Sequence, residues 1–265
     1  MTRMDKFRST QRSRAIYLLP NLFTTAGLLA GFYAIIAATD NQFVSASIAV
    51  FVAATMDGLD GRVARLTGTS SAFGVQFDSL SDLVSFGMAP ALVMYHWSLS
   101  TLKYDGGMMA RFGWASAFLY VACAALRLAR FNTQVGTVDK RCFVGLSSTA
   151  AAGLMMSFVW TFADEHSGWS GAQLRYVTLI LTVVTGILMV SRVLFWSFKT
   201  NQNRTGAYSD RIPYLVLVLI PVFLAVLVID LPRVLLLLTS LYTSSGPIAW
   251  LFRRLRKRSS IDTQT

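Results

Sequence analysis

Polar positions interrupt this chain so rarely that it divides into eight apolar runs, near residues 18–38, 43–65, 73–97, 112–131, 144–163, 175–197, 212–229 and 233–252. A bilayer core of about 30 Å is crossed by roughly 20 mostly apolar residues in a helix, and each run approaches that length. The pattern therefore predicts an all-α, polytopic membrane helix bundle of about eight transmembrane helices. Residues 1–17 read as a basic cytoplasmic leader, either a short surface helix or disordered. Residues 18–252 read as one membrane domain and 253–265 as a basic, unstructured tail. Pro213, Pro221, Pro232 and Pro247 fall in or beside the last two runs, where they start or kink helices.

Composition agrees with this pattern: 54% of the 265 residues are hydrophobic and only 14% are charged. The excess of 24 basic over 13 acidic residues raises the question of nucleic acid, but the basic residues alternate along the chain. With the N-terminus inside, all of them except Lys103, Arg111, Arg175 and Arg233 fall on the cytoplasmic side, while Asp40, Asp105, Asp164, Glu165 and Asp230 lie opposite. That asymmetry follows the positive-inside rule and places both termini in the cytoplasm, so no nucleic-acid partner is implied. Cys123 and Cys142 are too few and too far apart for a metal signature. His96 and His166 map to the outer side.

Four carboxylates break the apolar pattern where the second and third runs meet: Asp57, Asp60, Asp78 and Asp82. The first pair is spaced i, i+3 and the second i, i+4, so each pair shares one face of its helix. Bare anions cannot crowd together there, and only Arg62 and Arg65 are near in sequence. Cations are required. All-oxygen ligands favour Mg²⁺ or Mn²⁺, and a pair of such ions is the usual clamp for displacement at phosphorus. Other readings of these residues are solvated loop positions or an ion pathway, but the remaining runs carry almost no charge to continue a pathway. For Gly61, Ala64 and Gly74, close helix packing is the alternative to close approach of a ligand.

Read in full, the segment is Asp57-x2-Asp60-Gly61-x2-Ala64-Arg65-x8-Gly74-x3-Asp78-x3-Asp82. It resembles the signature of the CDP-alcohol phosphatidyltransferase family. Leu19-Pro20-Asn21 with Thr24, Asp82 to Ala91, Leu126 to Asn132, and Leu188 to Ser191 with Ser197 to Lys199 extend the similarity to the phosphatidylserine synthase branch. The resemblance implies transfer of the phosphatidyl group of CDP-diacylglycerol to the hydroxyl of L-serine, with release of CMP. It also implies two Mg²⁺ or Mn²⁺ ions, a homodimer, and a cytoplasm-facing site in a cell membrane, the inner one if the source is bacterial. By the same resemblance Asp57, Asp60 and Asp78 would ligate metal, and Asp82 would be a shared ligand or the general base. Asn21, Gly61, Arg65 and Gly74 would contact CDP-diacylglycerol. Arg127 and Arg130, at the inner end of the fourth run, would meet the acceptor or a lipid phosphate, or simply anchor the helix. Alternatives are another acceptor, glycerol 3-phosphate or inositol phosphate, and a non-catalytic transporter or scaffold.

Overall fold

The computed structural model describes residues 3–69, 71–133, 142–164, 168–191, 193–196 and 230–262. Among the described residues eight α-helices follow one another: α1 (Arg3–Thr39), α2 (Phe43–Thr67), α3 (Ala72–Asp82), α4 (Ala89–Trp97), α5 (Gly107–Thr133), α6 (Ser148–Ala163), α7 (Arg175–Val190) and α8 (Leu231–Asp262). Three described helical stretches are long and apolar enough to cross a membrane: Leu19–Thr39, Phe43–Thr67 and Gly107–Thr133.

Several expectations change in detail. The run at 73–97 is not one regular helix, because a π-helical turn (Leu83–Met88) joins α3 to α4. Pro90 explains it. A proline has no N–H for the carbonyl four residues earlier and its ring clashes with that carbonyl, so the turn widens around Phe86. The Ala89 N–H reaches back five residues to the Val84 carbonyl, and the freed Phe86 carbonyl accepts the hydroxyl of buried Tyr120 on α5 at 3.0 Å. The runs at 144–163 and 175–197 are each shorter as helices, because their apolar ends pair with each other. Strand β1 (Cys142–Val144) lies antiparallel to strand β2 (Leu194–Trp196), with Phe143 opposite Phe195. Among the described residues the regular structure is therefore helical apart from this three-residue ladder.

At the two ends of the described residues, α1 begins at Arg3 and runs on through Pro20, and α8 continues as far as Asp262. Arg, Lys and Leu are good helix formers. The predicted run at 212–229 and most of the inner connections at 132–143 and 198–211 lie outside the described residues.

Small residues set the packing of the aspartate-bearing half. Gly31 of α1 faces Ser85 so closely that an added Cβ would overlap the Ser85 side chain and its Cα. Ser81 and Ser85 donate to the Thr24 and Gly27 carbonyls of α1, both at 3.2 Å, pinning α3 and its π-helical extension to α1. Gly31→Ala is expected to destabilise the protein by about 1–3 kcal/mol through this overlap, read as a lower unfolding temperature in detergent.

Candidate active site

The connection between α2 and α3 decides which carboxylates meet. Gly68 caps α2 in the left-handed region at φ 65°, a conformation that glycine adopts without a side-chain clash, and its N–H returns to the Ala64 carbonyl. Ser71 then starts α3, its hydroxyl accepting the Gly74 N–H at 3.0 Å. Asp60 lies eight residues before Gly68 and Asp78 seven after Ser71, while Asp57 and Asp82 are each eleven away. At about 1.5 Å per helical residue, the turn brings Asp60 level with Asp78 and Asp57 level with Asp82. The side chains of both pairs stand within hydrogen-bonding reach.

One carboxylate oxygen from each of Asp57, Asp60 and Asp78 lies within 4.8 Å of the other two. Asp82 joins them in a narrow cleft whose walls include Thr24, Ser81, Ser85 and Phe86. Asp60 is buried and accepts the Thr24 hydroxyl at 2.6 Å. Among the described residues none of the four forms an ion pair with a lysine or arginine. A group of hard oxygen donors, close together and without cationic partners, suits a divalent cation: Asp57, Asp60 and Asp78 could hold one.

The other sequence candidates fall around this cleft in two sets. Asn21 and Gly74 face each other across α1 and α3, the Asn21 Oδ1 standing 3.6 Å from where a Gly74 Cβ would be. Arg65 folds over Gly61, with Nη1 3.5 Å from the corresponding Cβ position, and it interacts electrostatically with Asp60. These four residues mark the Gly68 end of the cleft. Arg127 stands at the opposite end, half-buried on α5 and within electrostatic range of Asp82. Arg130 is three residues further along α5, does not line the cleft, and lies near Arg127.

Sequence reasoning missed the supporting hydroxyls. Ser81 and Ser85 share the face of α3 and its π-helical extension that carries Asp78 and Asp82, so their spacing held the signal. Thr24 entered the sequence reading only as part of a family stretch, and beside the equivalent hydroxyl of Thr25 nothing marked it as the partner of Asp60. Asn132 is also placed by contact: its amide donates to Ser79 Oγ at 3.0 Å and ties the inner end of α5 to α3.

Comparison with known proteins agrees with this geometry. A family model described as CDP-alcohol phosphatidyltransferase matches residues 17–190, which include all four aspartates. A Helicobacter pylori protein named CDP-diacylglycerol-serine O-phosphatidyltransferase is 37% identical over 237 residues, covering 89% of this chain and 92% of that protein. A Mycobacterium leprae protein of the same name is 34% identical over 69% of this chain and 60% of its own length. An archaetidylserine synthase from Methanothermobacter thermautotrophicus is 32% identical over 66% of this chain and 68% of its own. With a family match across most of the chain and the acidic signature folded into one cleft, the chain belongs to the CDP-alcohol phosphatidyltransferase family.

Proposed function

We propose that this integral membrane enzyme transfers the phosphatidyl group of CDP-diacylglycerol to the hydroxyl of L-serine, giving phosphatidylserine and CMP. The observation that carries the reaction class is the convergence of Asp57, Asp60, Asp78 and Asp82 from two helices in one cleft. The names of the relatives support serine as acceptor. In this reading the chain forms eight spans with both termini and the cleft on the cytoplasmic side, within a single membrane domain over 18–252 and as a homodimer. The basic-residue asymmetry supports the orientation, and the family resemblance supports the dimer.

Asp57, Asp60 and Asp78 hold Mg²⁺ or Mn²⁺, two ions in the reading adopted, with Asp82 as a shared ligand or general base. Bound ions would supply positive charge that neutralises the diphosphate and its leaving CMP. Thr24, by donating to Asp60, fixes that carboxylate's rotamer. Asn21, Gly61, Arg65 and Gly74 receive the cytidine nucleotide: the glycines let it approach the backbone, and the Arg65 fork pairs with phosphate. Arg127 and Arg130 face the acceptor or the lipid phosphate. The serine hydroxyl oxygen attacks the phosphorus that carries diacylglycerol, the bond from that phosphorus to the CMP oxygen breaks, and the serine proton passes to Asp82.

The purified protein with CDP-diacylglycerol, Mn²⁺ or Mg²⁺ and radiolabelled serine is expected to yield labelled phosphatidylserine and CMP in equal amounts. Release of CMP only with glycerol 3-phosphate or inositol phosphate would move the enzyme to another acceptor. No CMP release with any acceptor would make the chain a transporter or scaffold.

A further inference from the structure

Arg127 is held more tightly than a helix-end anchor needs. Its Nε donates to the Leu146 carbonyl at 2.5 Å. That carbonyl is itself fixed, since the Leu146 N–H donates to the Leu188 carbonyl at 3.1 Å and the Gly145 N–H to the Val193 carbonyl at 2.8 Å. With Nε committed, the guanidinium keeps four N–H donors on its two terminal nitrogens, and these make no hydrogen bond to other described residues. The group interacts electrostatically with Asp82 and Tyr242, yet stands too far from Asp82 for an ion pair. A positively charged fork, held by the Leu146 carbonyl, therefore lies within electrostatic range of the last aspartate of the cleft.

The Leu146 carbonyl that holds this fork adjoins Ser147, and Ser147, Thr149 and Tyr242 supply polar groups to the mainly apolar lining of a cavity of about 360 Å³ among α2, α6 and α8. Phe86 lines both this cavity and the aspartate cleft, so the two share a wall. The position along α3 says which substrate comes here. Gly74 belongs to the nucleotide end, and Asp82 lies eight residues further on, roughly 12 Å along the helix. The Asp82 end is left for the acceptor.

Resting on the serine-transfer reading, we propose that Arg127 is a specificity-determining residue that binds the carboxylate of the acceptor, with Tyr242 beside it. The two terminal nitrogens of a guanidinium match the two oxygens of a carboxylate in parallel N–H···O bonds, and the Leu146 carbonyl fixes that end-on orientation. In serine two carbons separate the carboxyl carbon from the hydroxyl oxygen. A serine held by Arg127 thus carries its hydroxyl two carbons beyond the bound carboxylate, toward Asp82. Arg130, outside the cleft, takes no part in this contact.

The test compares serine with serinol, which keeps a hydroxyl and the amine but replaces the carboxylate by a second hydroxymethyl group. Wild-type enzyme is expected to prefer serine by about 100-fold or more in kcat/KM, because a site built for a polar group rejects a ligand that leaves it unpaired. Arg127→Gln should reduce that preference by at least about tenfold, mainly through a higher KM for serine, with the KM for CDP-diacylglycerol within about twofold of wild type. Arg127→Lys, which keeps the charge without the fork, should fall between, and Tyr242→Phe should raise the serine KM by about two- to fivefold. Equal loss of serine and serinol transfer, or a raised KM for CDP-diacylglycerol alone, would overturn the assignment. If Arg127→Gln cannot be purified folded, Arg127→Lys and Tyr242→Phe decide it, and an unchanged serinol discrimination and serine KM in both would reject it. A wild-type enzyme that releases CMP but labels no lipid with serine would instead overturn the parent reading.

Discussion

Asp78→Asn or Asp82→Asn is expected to cut CMP release by about a thousandfold or more, while each variant still extracts and melts as a folded protein in detergent. Asparagine nearly matches aspartate in volume but brings no charge, so α3 keeps its packing while the cleft loses a ligand or a base. The height matching makes the two positions inequivalent in detail. Asp78 stands with Asp60, which Thr24 already orients, whereas Asp82 stands with Asp57, farther from the Gly68 turn. An Asp82 that serves as base would lose turnover with little change in metal requirement, and an Asp78 that serves as ligand would also demand more metal. Titrating each variant with Mn²⁺ separates the two roles, and near-normal turnover in both would remove the assignments altogether.

Chelation of divalent ions is expected to take transfer to background, and added Mn²⁺ or Mg²⁺ to restore it. The same treatment should lower the unfolding temperature, because a ligand that binds only the folded protein stabilises it and its removal withdraws that contribution. Crowded carboxylates with no ion-pair partner among the described residues repel one another once the cations leave. The decisive comparison is between wild type and a variant in which Asp57, Asp60 and Asp78 are all replaced by asparagine. That variant should show no further loss of stability with chelator. Full activity in exhaustively chelated wild type would refute the metal reading, and an equal drop in melting temperature for both proteins would place the stabilising ion elsewhere.

Much of this site was legible because its elements are local. The spacing of Asp57 with Asp60 and of Asp78 with Asp82 fixes a helical face by itself, and Gly68 and Ser71 are ordinary stop and start signals that set the relative height of the two pairs. What the sequence concealed depends on partners far along the chain. Val144 and Leu194 extend apolar runs and read as helix ends, yet they pair with each other across fifty residues. Thr24 reads as one polar position in an apolar helix until Asp60 is brought against it. The π-helical turn lies between these cases: Pro90 gave a local warning, but the hydroxyl that satisfies the Phe86 carbonyl comes from Tyr120 on another helix. Arg127 likewise reads as an inner-face anchor until the Leu146 carbonyl is found holding it.

That widened turn gives the stretch from α3 to α4 two independent azimuths. A surplus residue in one coil offsets everything beyond it by about 100° relative to an uninterrupted helix. The rim that bears Asp78 and Asp82 and the flank that Ala89–Trp97 presents to its neighbours are thereby set separately. Deleting a single residue between Leu83 and Met88 would rephase one half against the other, whereas point changes beyond Pro90 can retune the α4 half without rotating the acidic rim.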